Sequence, residues 1–75
     1  MDELTFGQKQ VGLLFNPSGD DKVAEVKQKF ADIIDELVGI CEDPEASDDA
    51  VTWASTAINH CITAQMWCVK SITAK

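Results

Sequence analysis

Seventy-five residues allow one small domain, and a chain this short buries only about 60% of the surface it exposes when unfolded. Thirteen acidic against six basic residues give a net charge of −7, a field that repels duplex DNA and RNA and argues against a general nucleic-acid binder. Cys41, Cys61 and Cys68 are odd in number and lack C-x-x-C spacing, and His60 is the only histidine, so the reading is reduced thiols in a reducing cytoplasm, with no metal and no cofactor.

Met1-Asp2-Glu3 is acidic where a secretory signal would be basic, which argues against secretion. Residues 1–15 read as a short N-terminal arm. Gly7 and Gly12 weaken any helix there, and no Lys-Ser/Thr follows to make a phosphate loop, so both read as flexible glycines. Leu4, Phe6, Val11, Leu13, Leu14 and Phe15 give the arm apolar anchors for packing onto another element. NPSGDD, Asn16 to Asp21, is a turn in which Pro17 fixes φ and Ser18 or Asp20 caps the following helix.

The first main helix is placed at residues 20–38. Val23, Val26, Phe30, Ile33, Ile34 and Leu37 recur at steps of three and four, with Glu25, Gln28, Asp32, Asp35 and Glu36 on the opposite, solvated face. Gly39 suits the position just past the helix end, and Pro44 forbids continuation through the acidic loop CEDPEASDD. Ser47 then caps a second helix, residues 48–73, about 39 Å long, with Asp48 and Asp49 in its first turn.

That second helix contains Ala50 to Val69, without one Asp, Glu, Lys or Arg. The run is long enough to span a bilayer, yet Asn59, His60, Gln65, Ser55 and the threonines would be costly in hydrocarbon, so no membrane span is expected. On a helical wheel Ala54, Ile58, Cys61, Ile62, Cys68, Val69 and Ile72 form one face, widened by Trp53, Ala57, Ala64, Trp67 and Met66 to an arc of roughly 200°. One partner helix does not cover such an arc. The fold class is therefore all-α: a two-helix antiparallel hairpin with a short N-terminal arm, assembling into a homo-oligomeric helical bundle.

Enzyme chemistry is thin. His60 and Cys61 are neighbours on a helix and point about 100° apart, too far to act as base and nucleophile. The pairs Asp20-Asp21, Asp48-Asp49 and Asp32-Asp35-Glu36 are explained by capping and solubility. Lys22 and Lys29 flank one edge of the first helix's stripe and Lys27 the other; they either cover the core's edge with their stems or, where subunits meet, hold a small anion. Two readings stand for Phe15 as well. It is a hydrophobic staple over Val23, or it stacks a nucleotide base beside Asn16 and Ser18, at a helix N-terminus whose free N–H groups attract phosphate.

The order Phe15-Asn16-Pro17-Ser18, an amphipathic helix from Val23 to Val38, an acidic loop, then Ala64-Gln65-Met66-Trp67 with Ile72 resembles the small hairpin proteins with which bacteriophages defeat cyclic-nucleotide immune signalling. These are the anti-CBASS sponges, whose helical hairpin also occurs in an anti-Thoeris sponge; the similarity spans Leu14 to Thr73. It implies a homohexamer, in the cytoplasm of the infected bacterium, that captures cyclic dinucleotides, in some members cyclic trinucleotides or cyclic ADP-ribose isomers, without cleaving them. It also implies that Phe15 stacks on a base, where the family carries Tyr, and that Lys29 or Lys27 holds phosphate. Asn16, Pro17 and Ser18 then flank the ligand, and Lys70 or Lys75 stands nearest the family's basic residue late in the second helix. The alternative function is an adaptor hairpin that docks on a phage or host protein and binds no small ligand; a hydrolase of the same messengers lacks residues to do the work.

Overall fold

The computed structural model describes residues 3–74. Met1 and Asp2 of the arm and Lys75, offered with Lys70 as counterpart of the family's late basic residue, lie outside the described residues. Three helices follow in order: α1 (Phe6–Gln10), α2 (Asp21–Glu42) and α3 (Asp48–Thr73), with no strand among the described residues. α2 and α3 pack along each other as a hairpin, and α1 lies against α2.

Helix α1 corrects the reading of the arm's glycines as flexible residues that weaken any helix. Five residues are too few to hold a helix alone, and here both ends are closed by side chain and backbone. At the start, Thr5 Oγ1 accepts from the Gln8 amide at 3.1 Å while Gln8 Oε1 accepts from the Thr5 amide at 2.9 Å, a reciprocal capping box. At the end, the Gly12 amide donates to Lys9 O and the Leu13 amide to Gln8 O, a Schellman closure that needs the φ of +63° at Gly12. Gly7 is likewise specific. A Cβ there would sit 2.2 Å from the Ala31 carbonyl oxygen, and the bare backbone lets the Gly7 amide donate to Asp35 Oδ1 at 2.7 Å.

In α2, Asp20 takes the N-cap role, accepting from the Lys22 amide at 2.8 Å. The helix runs beyond the predicted end at Val38, through Gly39, to Glu42. Gly39 is therefore an interior residue; an interior glycine costs only about 1 kcal/mol, which continued packing offsets. Pro44 is the stop, because it forces the preceding Asp43 into extended backbone (ψ 118°). Asp43, Pro44, Glu45 and Ala46 then form a tight turn closed by the Ala46 amide on Asp43 O, and Ser47 Oγ caps α3 through the Ala50 amide at 3.0 Å.

The buried face of α2 is Val23, Lys27, Ala31 and Ile34, rotated from the predicted stripe, and Ile33 is exposed. The cause is α1, which covers α2 from a second side. There Asp35 and Gln28, expected in water, are half-buried and hold Gly7 and Gln8. The core is Val11, Ala31 and Ile34, with Leu13, Phe30, Val38, Ile58, Cys61 and Ile62 packed around it.

The molecule measures 45 × 29 × 12 Å, and its thin dimension is the diameter of one helix. It is a single layer. Trp53, Met66 and Trp67 consequently remain exposed on α3. No helix among the described residues is long and apolar enough to cross a membrane.

Candidate functional site

The turn after α1 folds back across the start of α2 and beside the C-terminal half of α3, leaving an open, mainly apolar cleft of about 560 Å³. Val11, Gly12 and Phe15 to Ser18 come from the arm side, Val23 and Lys27 from α2, and Gln65, Met66, Val69 and Thr73 from α3.

The turn's own hydrogen bonds shape the arm side. The Gly19 amide closes it on Asn16 O at 3.1 Å, with Pro17 supplying the fixed φ and Gly19 the positive one (+67°). Asn16 Nδ2 donates to Asp20 O at 3.0 Å, and Ser18 Oγ donates to Asn16 Oδ1 at 2.8 Å while accepting from the Asp20 amide at 3.2 Å. Both polar side chains are thus engaged within the turn. The N-terminus of α2 is filled too, by the Asp20 carboxylate with Asp21 beside it, so the free N–H groups expected to draw phosphate are already served by an anion.

Phe15 is 72% exposed, which removes the staple reading. Beside it, Lys27 departs from the expected edge position. Its side chain is buried, with 6% exposure, and its ammonium donates to Gly12 O at 3.0 Å and to Phe15 O. Burying an ammonium is costly unless its hydrogens find acceptors, and two backbone carbonyls supply them. The same Nζ lies 5.7 Å from the centre of the Phe15 ring, within cation–π range. An aromatic face, a fixed positive charge and apolar walls therefore converge in one place.

Lys29 and Lys70 are elsewhere. Lys29 is exposed and pairs with Glu25 Oε1 at 3.2 Å, which Lys22 approaches at 3.7 Å; the hydrogen bond from Lys29, then the charge of Lys22, lowers the Glu25 carboxyl from its ordinary value. The Lys70 ammonium lies 5.0 Å from the Trp67 ring on the exposed side of α3. The cleft therefore gathers Phe15, Asn16, Pro17, Ser18 and Lys27 and leaves out Lys29 and Lys70.

From α3 sequence reasoning offered Lys70 and missed the residues that line the cleft, Gln65, Met66, Val69 and Thr73. Gln65 is the informative omission: an amide inside an otherwise apolar face, one turn from Ile62 and Val69, is the signal that marks it. Its side chain is buried and its Oε1 has no hydrogen-bond partner among the described residues. Among the described residues no group of three or more His, Cys, Asp and Glu side chains could hold a metal ion.

No curated protein and no solved structure matches the chain. The family model of the Acb2/Tad1 hairpin domain matches residues 8–73, from the middle of α1 to the last residue of α3. The match takes in the cleft and both long helices, and the chain belongs to the Acb2/Tad1 hairpin family, the family of the anti-CBASS and anti-Thoeris sponges.

Proposed function

We propose that this chain is a phage-encoded sponge that binds cyclic oligonucleotide messengers, cyclic dinucleotides foremost, and sequesters them without cleavage in the cytoplasm of the infected bacterium. The observation that carries the reading is the exposed Phe15 ring set beside the buried Lys27 ammonium. A base stacks on the ring and a phosphate oxygen meets the ammonium, while Met66 and Val69 of α3 offer apolar contact. Family membership supports the same reading, since this is a family of binding domains rather than of enzymes. Asn16, Pro17 and Ser18 act as the rigid rim. Lys29 and Lys70 contribute when a neighbouring copy brings them to a cleft, within a homo-oligomer for which six copies is the family expectation.

A second reading, an adaptor that docks on another protein, is favoured by the exposed Trp53 and Trp67. One experiment separates the two. The protein is incubated with a cyclic dinucleotide, filtered, heat-denatured, and the released nucleotide is assayed. Depletion followed by release of intact nucleotide supports the sponge. Release of degraded nucleotide makes the protein an enzyme, and no depletion leaves the adaptor.

A further inference from the structure

We propose that Gln65 reads the base of the bound nucleotide and selects adenine through its amino group and ring nitrogen N7; this rests on the nucleotide-binding reading above. Gln65 lies on α3, is 6% exposed, and lines the cleft opposite the arm residues that present Phe15. Its Oε1 is buried without a partner among the described residues. A buried amide oxygen left unbonded is destabilising, and Leu or Met would fill the same volume with no such penalty. Packing therefore does not explain a glutamine here, whereas a ligand that brings a donor does.

The carboxamide offers one acceptor beside two donors. A base stacked on Phe15 presents its edge within the cleft that Gln65 lines. Adenine offers the complement, an N6 amino hydrogen for Oε1 and N7 for Nε2, in the two-point pairing that glutamine makes with that base. Guanine shows two acceptors, O6 and N7, on the same edge, so Oε1 would face a lone pair. In the free chain Oε1 has no accessible surface, so the pairing requires the side chain to turn about its torsions until both amide atoms meet the cleft.

The test is calorimetric titration of the full chain with cyclic di-AMP and with cyclic di-GMP, together with the melting temperature of the unliganded protein. Wild type should favour cyclic di-AMP by about tenfold, and Gln65→Leu should erase that preference while leaving the unliganded melting temperature equal or higher. Gln65→Glu, which keeps the shape but offers two acceptors, should turn the preference toward cyclic di-GMP, whose bases carry adjacent N1 and N2 donors. An unchanged preference in both variants overturns the proposal, as does a wild type that takes cyclic di-GMP at least as well. A lower melting temperature for unliganded Gln65→Leu also overturns it, because the amide would then be bonded within the free protein or its assembly. Wild type that binds neither nucleotide instead defeats the nucleotide-binding reading itself.

Discussion

Lys27 exchanges water for the carbonyls of Gly12 and Phe15, so its side chain ties the first half of α2 to the turn that carries the aromatic ring. Lys27→Met would leave two carbonyls short of a partner; with about 1–3 kcal/mol lost for an unsatisfied buried group, thermal melts should move down by roughly 5 °C or more. Phe15→Ala should behave oppositely. The ring is exposed, so the free protein should melt within a few degrees of wild type, while the stabilisation by cyclic dinucleotide disappears; a variant that keeps it would take Phe15 out of the site. Lys29 stands outside the cleft of its own chain, and an unchanged ligand shift in Lys29→Glu would remove it as well. Glu25, the partner of Lys29, has a lowered carboxyl pKa, so its contribution to stability is present above the ordinary carboxylate range and fades as pH falls through the lowered value. Solvent exposure keeps that contribution small, and Glu25→Gln should flatten the acid side of a melting-temperature profile only slightly.

Among the elements, α1 depends most on a single position. Gly7→Ala places a methyl group against the Ala31 carbonyl and removes the approach that lets Asp35 hold the Gly7 amide. We expect a loss of about 1–3 kcal/mol, together with faster hydrogen exchange at the Gly7 and Gln8 amides while the amides of α3 keep their protection. Sequence patterns showed the hairpin, its Pro44 stop and its Ser47 cap, because caps and proline act through local geometry that is written in the residue itself. They did not show α1, since the Thr5–Gln8 box and the glycine closure work only once the arm lies on α2. The same limit hid Gln65. Counting apolar residues at helical steps passes over this polar side chain that α3 buries and sets Lys27, named as a candidate ligand, at the edge of the core rather than inside it, whereas the Phe15 to Ser18 turn was legible from its own chemistry.

At the scale of the whole molecule, a single layer leaves area that a compact chain would cover. The accessible surface is 5334 Å², against about 4,500 Å² for a globular monomer of this mass. The excess, roughly 800 Å², matches what one partner contributes to a stable interface of standard size. Sedimentation at micromolar concentration should therefore find several copies together. Trp53→Asp and Trp67→Asp should lower the mass and the helix content in step, and a well-folded 8.2 kDa particle for the wild type would defeat the assembly.

An ammonium group has three hydrogens, and in Lys27 two are taken by backbone oxygens. The third is enough for one phosphate oxygen, so an arriving anion does not have to unfasten the loop that carries its stacking partner. On the proposed nucleotide-binding reading, capture would require little reordering of the backbone, and the entropic toll would be small. Association should accordingly follow a single exponential with a rate linear in ligand concentration, without the plateau that a slow rearrangement would impose.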